Sequence, residues 1–307
     1  MRRWLIRGVL IFLGVLLVLV LCVHPYFALH RPVGAPVLVA EGWMHRAGLK
    51  ATADLFHGAP YEHLYITGNP RPVAYYLAHR EGLELEMEER HVGVLEWSID
   101  GLPGTPWHMI VDGDTIRAGV VGKDAKDQQA AVQRPVRTIQ VGDGSTASAG
   151  PDVPLLFLGR LELDGINAHT VVGEVHLIRP DGTHLPGWPT QAHEAMALLA
   201  DHGIPMARMT VIPNQATRDR TNGSARTFAG YARTHGIDAY DVVTLAVHAR
   251  RTHQGHLNAV DEGIKVGVIA LQDPWCGRWT WWMNYYGWYQ VLKELAALPR
   301  TWAKPKS

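Results

Sequence analysis

The 307-residue chain has only two cysteines, Cys22 and Cys276. One lies in an apolar run and the other in a Trp-rich segment, so a disulfide framework and a cysteine-ligated zinc site are both excluded. No charge sign is in excess, with 29 Lys and Arg against 29 Asp and Glu. A neutral chain exerts no global pull on nucleic acid; no nucleic-acid partner is expected, and any cationic site must be local. Gly-x-Gly-x-x-Gly and Walker loops are missing, as are Gly-x-Ser-x-Gly and His-Glu-x-x-His. Dinucleotide fingerprints, serine-hydrolase elbows and zincin helices are therefore unsupported, even with 17 histidines. Charged residues make up only 19% and hydrophobic ones 47%, a globular rather than disordered balance.

The one long apolar run is at the start. Arg2, Arg3 and Arg7 precede Gly8 to Val23 in MRRWLIRGVLIFLGVLLVLVLCV. As a helix this run is about 24 Å long, against a hydrocarbon core of about 30 Å. The expectation is an N-terminal transmembrane helix, with residues 1–29 as anchor and linker and the positive flank inside. A cleaved signal peptide is the alternative, but LCVHPYFALH lacks a small-residue cleavage site.

APVLVAEGW reads as a strand ending in Glu41-Gly42, HRAGLKATADLFHG as a helix, and EHLYITGNP as a second strand. That is the opening of a parallel sheet. From residue 188 the rhythm returns as helix, strand, helix, strand, helix, strand, helix. Between them, short alternating runs are punctuated by Asp-Gly at 112, 143, 164 and 181, the pattern of an antiparallel β-sandwich. The expected fold class is α/β: a Rossmann-like doubly wound parallel sheet over 30–82 and 188–307, interrupted by a β-sandwich over 83–187. EGLELEMEER, residues 81–90, reads as a solvated connector.

Ligands of open parallel sheets bind outside the carboxyl ends of the strands. Those ends carry Glu41 and Gly42, Gly68 and Asn69, then Asp219, Arg220 and Thr221, then His248, Arg250 and Arg251. Arginine forks suit phosphate or carboxylate, and a helix N-terminus favours an anion. Histidine is the side chain suited to proton transfer near neutrality, so His248 is the expected general acid or base, with Asp219 orienting it or pairing with an arginine. The bland alternatives are a hydrogen-bonded structural histidine and arginines paired with nearby aspartates. The cluster from Trp275 to Tyr289 reads first as a packed core, with two or three rings exposed, and second as a sugar platform or interfacial belt. His253 and His256 are three apart on a helix but lack a carboxylate at ligand spacing.

HGIPMARMTVIPNQATRDRTNGSA followed by VVTLAVHARRT resembles the YdcF/SanA/ElyC-like family of bacterial envelope proteins. Asp219, Arg220, Thr221, Ser224, His248, Arg250 and Arg251 stand at its matching positions, and RWTWWMNYYGWYQVLKE resembles its late Trp-Trp, Gly and Glu segment. The resemblance implies a cell-envelope protein of the bacterial inner membrane, its C-terminal domain on the periplasmic side, concerned with peptidoglycan precursors. It also implies an S-adenosylmethionine-binding protein as one alternative. WHMIVDGDTI with IQVGDGSTASAGPDVPLLFLGRLELDG resembles a calcium-dependent xylan-binding module. On that resemblance Asp143 and Asp152 stand at the two acidic calcium positions; as plain residues they equally suit turns.

The sequence thus leads to a membrane-anchored envelope protein with an anion-binding crevice and a carbohydrate-binding insert. The crevice ligand would be a phosphorylated envelope glycan precursor. A non-catalytic glycan-binding scaffold or sensor is the second hypothesis, and the sequence leaves catalysis or binding alone open.

Overall fold

The computed structural model describes residues 2–122, 126–143, 155–214 and 219–302. The chain divides into two units, Met1–Asn69 with Gln191–Ser307, and Pro70–Thr190. The first opens with α1 (Arg2–Phe27), β1 (Val37–Glu41), α2 (Arg46–Gly58) and β2 (His63–Gly68). The second contributes β3 (Tyr75–Leu77), β4 (Gly82–Gly101), β5 (Pro106–Val111), β6 (Asp114–Val120), β7 (Lys126–Asp143), β8 (Leu156–Leu163), β9 (Ile166–Asn167), β10 (Glu174–Ile178) and β11 (His184–Pro186). The first then resumes with α3 (Gln191–Asp201), β12 (Met209–Pro213), α4 (Arg220–Thr234), β13 (Ala239–Leu245), α5 (Ala249–Ala259), β14 (Lys265–Leu271) and α6 (Tyr285–Trp302).

In the first unit five strands form an all-parallel sheet in the order β12-β2-β1-β13-β14. Side chains of a strand alternate between faces. Leu38 and Ala40 of β1 accordingly join Leu49 and Phe56 of α2 and Leu199 of α3, while Val39 joins Phe228 of α4 and Ala249 of α5. Both faces are covered, which is why the strand reads as unbroken apolar sequence. Full burial of Phe228 contributes roughly 2 kcal/mol. The winding runs from β1 out through β2 to β12, then crosses back to β13 and β14. It reverses between β1 and β13, and their carboxyl ends border the crevice described below.

The second unit departs from the expected two-sheet sandwich. Nine strands form one antiparallel sheet, so the molecule combines a parallel and an antiparallel sheet. The 20-residue β4 pairs with β7 along nearly its whole length. Its other edge pairs with β10 at residues 82–86 and with β8 at residues 95–101. Register shifts fall between Glu86 and Arg90 and between Val92 and Val94. Such bulges bend and twist a strand, and here they let one strand serve two parts of a sheet around Leu85, Leu95, Trp97, Met109 and Val141. Two Asp-Gly pairs make tight hairpins: Asp112 and Gly113 have φ 49° and 86°, Asp164 and Gly165 φ 51° and 75°, the left-handed pair that two-residue hairpins need. The acidic run 81–90 is not a solvated connector. Most of it lies in β4, and just before that strand the buried Glu81 accepts the Ala78 N–H at 2.8 Å and pairs with Arg179 at 3.0 Å.

The expected transmembrane helix is also corrected. Among the described residues no helix is long and apolar enough to cross a membrane. The physical reason lies at the end of α1. Val20, Val23 and Phe27 pack with Val247, Cys276, Trp281 and Val291, and the Trp281 indole N–H donates to the Val20 carbonyl at 3.3 Å. Part of the apolar run is thus spent on the protein's own core.

Candidate functional site

A crevice of 880 Å³ opens at the carboxyl ends of the parallel strands, lined by Glu41, Trp43, Asn69, Asp219 to Asn222, Ser224, His248, Arg251 and Lys293, among others. β1 ends in the buried Glu41, whose Oε2 accepts the Thr252 hydroxyl at 3.1 Å. Trp43 follows and meets His248 edge-on, ring centroids 4.9 Å apart. β13 ends at Leu245, and a short 3-10 turn carries His248 to the N-terminus of α5. Ala246 in that turn has φ 33°, a strained value for a residue with a side chain.

His248 is buried with one carboxylate on each side. Its Nδ1 lies 2.9 Å from Glu294 Oε1, and its Nε2 lies 3.8 Å from Glu41 Oε2. Arg251 Nη2 is 2.9 Å from both Nδ1 and Glu294 Oε1. Nδ1 thus faces both the Glu294 carboxylate and an Arg251 N–H; with the proton on Nδ1 the ring donates to Glu294, Arg251 also donates to Glu294, and Nε2 is the acceptor toward the crevice. Glu294 is only 1% exposed. Desolvation raises its pKa, but the hydrogen bond and charge of His248, then Arg251 and Lys293, outweigh it, and the carboxyl is held below its ordinary value. Lys293 at the lip shifts down through partial desolvation and the charges of Arg251 and Arg220, against Glu294 and Glu41. Among the described residues neither Arg220 nor Lys293 is held in an ion pair with a carboxylate.

The sequence candidates divide. Glu41, Asn69, Asp219, Arg220, Thr221, His248 and Arg251 all line the crevice. Asp219 does not orient His248: its carboxylate accepts the Asn222 amide at 2.9 and 3.0 Å. Arg250 turns away, donating to the Tyr26 carbonyl at 2.5 Å with its guanidinium 4.0 Å from the Tyr26 ring centroid. Successive helical residues lie about 100° apart, so one arginine of the pair faces the site and the other holds α1. Gly42 and Gly68 serve packing. A Cβ at Gly42 would lie 2.8 Å from the Gln191 carbonyl, and one at Gly68 would strike the Ala192 backbone, so both let α3 start close to the strand ends.

Asp143, one of the two expected calcium positions, ends β7. Its buried carboxylate accepts the Arg80 N–H at 3.0 Å and lies 3.8 Å from His79. Asp152 lies outside the described residues. The only set of grouped metal-capable side chains among the described residues is the exposed Glu86 and Glu174 with His176. His253 and His256 bond the Val266 carbonyl at 3.1 Å and the Tyr240 hydroxyl at 2.9 Å, both structural. The Trp-rich cluster is more exposed than expected: Trp281 is buried, whereas Trp275, Trp279, Trp282, Tyr285, Trp288 and Tyr289 are exposed.

No protein-family model matches the chain. No curated protein matches it either. Among solved structures it is similar to an active-site mutant of a family two carbohydrate esterase from Clostridium thermocellum, at 10% identity over 76% of this chain and 99% of that one, with TM-score 0.24. A family two carbohydrate esterase from Clostridium thermocellum in complex with cellohexaose gives 8% identity over 75% and 94%, TM-score 0.21. A Paenibacillus sp. cycloisomaltooligosaccharide glucanotransferase complexed with cycloisomaltoheptaose gives 12% over 41% and 24%, TM-score 0.18. Overlaps this slight carry no argument about function.

Proposed function

We propose that the first unit binds a phosphorylated envelope glycan precursor in the crevice and processes it with His248 as the proton-transfer group. The observation that carries this is the buried His248–Glu294 pair opening onto a lip where, among the described residues, Arg220 and Lys293 are in no ion pair with a carboxylate. Free cations recruit the anion; the oriented imidazole accepts or returns a proton beside it. The resemblance to YdcF/SanA/ElyC-like proteins supports a cell-envelope setting. Glu294, rather than Asp219, orients the imidazole, and Arg251 holds Glu294.

Thermal-shift titration with inorganic pyrophosphate and a nucleoside-diphosphate sugar tests the reading. Both are expected to raise the melting temperature of the wild type, and neither that of the Arg220→Ala/Lys293→Ala variant. Equal stabilisation of both proteins, or none in either, would sink it. For the glycan function of the second unit, Tyr76 is 67% exposed and stacks on Phe157 with centroids 4.5 Å apart. That is a small sugar platform, and Tyr76→Ala is expected to abolish binding of xylan-derived oligosaccharides measured by calorimetry.

A further inference from the structure

Thr221 is the second residue of α4 and lines the crevice. Its Oγ1 lies 3.5 Å from His248 Nε2, the nitrogen that accepts in the tautomer whose Nδ1 donates to Glu294. Hydroxyl, imidazole and buried carboxylate are therefore arranged in series. This is the order in which a weak alcohol is activated for attack: the base takes its proton, and the carboxylate fixes the base and stabilises the imidazolium. Glu41 Oε2, 3.8 Å from Nε2, adds a second negative charge beside the imidazolium once it forms.

The surroundings suit a reacting centre. Asp219 at the N-cap has φ 52° and ψ 47° and makes no side-chain cap hydrogen bond. The Gly223 N–H makes the first bond of α4, to the Asp219 carbonyl at 2.9 Å, so the N–H groups of Arg220 and Thr221 lie ahead of the helix's own ladder, at the end where negative charge is stabilised. Ser224, the neighbouring hydroxyl, is buried and accepts from the Asn214 amide at 3.3 Å.

We infer that Thr221 is a covalent nucleophile that takes a phosphoryl group from the bound phosphoester. This rests on the proposed function for the class of substrate, while the arrangement of Thr221, His248 and Glu294 stands by itself. In the first step the Oγ1–P bond forms as the bond from phosphorus to the leaving oxygen breaks. The hydroxyl proton passes to His248 Nε2 and then to the leaving oxygen. In the second step the same nitrogen takes a proton from water, whose oxygen attacks phosphorus. The P–Oγ1 bond breaks, the proton returns to Oγ1, and phosphate departs.

An alkyl fluorophosphonate tests the nucleophile directly. Attack on it forms an O–P bond, expels fluoride and leaves a stable adduct. With the full chain, tandem mass spectrometry is expected to place one adduct on Thr221. Labelling should be lost in Thr221→Val, retained in Thr221→Ser, and slowed at least about 100-fold in His248→Ala, with unchanged thermal transitions showing that the variants fold. An adduct elsewhere, including Ser224, no adduct on folded wild type, or a rate indifferent to His248→Ala would overturn the inference. Pyrophosphate binding to the wild type is read separately. If it is seen while the wild type is not labelled, the nucleophile is wrong and the anion site stands; if the wild type labels but binds no pyrophosphate, the reverse holds.

Discussion

At the amino end of the parallel sheet, Asp241 is fully buried and accepts the backbone N–H of Val33 at 2.7 Å and of Gly34 at 3.2 Å, and the Tyr61 hydroxyl at 3.1 Å. At the carboxyl end, Glu294 is equally buried, but its partners are His248 and Arg251, themselves ionisable, and the group borders a crevice. Asp241 accepts at both oxygens, whereas Glu294 accepts at Oε1 and has only the ion-pair approach of Arg251 Nε, 2.8 Å away, at Oε2. The difference is in what faces them. Two backbone donors and a tyrosine hydroxyl make Asp241 a clamp on the chain entering β1. An imidazole that can gain, lose or pass on a proton, beside a guanidinium that stays charged, makes the Glu294 group able to respond to a ligand. Burial of a charge marks neither kind by itself.

The amino end is where substitution should cost most stability. Asp241→Ala leaves two backbone N–H groups and the buried Tyr61 hydroxyl without their acceptor and is expected to cost about 3 kcal/mol, read from urea denaturation midpoints. A loss below about 1 kcal/mol would make this end less of a clamp than the comparison states. Next comes pH. His256, behind Tyr240 of β13, is pushed down to about 3 by burial and then by His253. Its folded pKa lies below the unfolded value of about 6.5. The unfolded chain therefore binds the proton first as pH falls. The stability this group supplies is complete above about 6.5 and is lost toward about 3, with a slope near 1.4 kcal/mol per pH unit. In His256→Gln, which keeps a partner for Tyr240, that slope should shrink in denaturation curves collected from pH 7 to 4. The smallest effect is expected from Arg250→Ala. Losing its bond to the Tyr26 carbonyl should cost about 1 kcal/mol by thermal melts and leave pyrophosphate affinity unchanged in calorimetry. A fall in affinity would place Arg250 in the site after all.

Much of the parallel unit was legible because its signals are local. The unbroken VLVA of β1 marks a strand covered on both faces, and glycines at 203 and 236 end helical patterns. His248 was legible as a polar residue at the end of such a strand. Its partner was not, since Glu294 is 46 residues away on another helix. A signal did exist: Glu294 falls on the inward stripe of α6 with Val291 and Leu298, where a lone carboxylate requires a partner. The choice between Arg250 and Arg251 needed the register of α5, and the single antiparallel sheet needed the bulges of β4, neither of which leaves a distinct mark in sequence. The N-terminal run was misread because composition does not show that its last turns pack on Trp281 and Val247.

The most direct test of the contrast between the two sheet ends is hydrogen–deuterium exchange of the full chain with and without inorganic pyrophosphate. Protection is expected around Glu41 to Trp43, Arg220 to Ser224 and His248 to Arg251, with none around Val33 and Asp241. Protection confined to residues 70–190 or to the amino end, or no change at saturating ligand, would contradict the account.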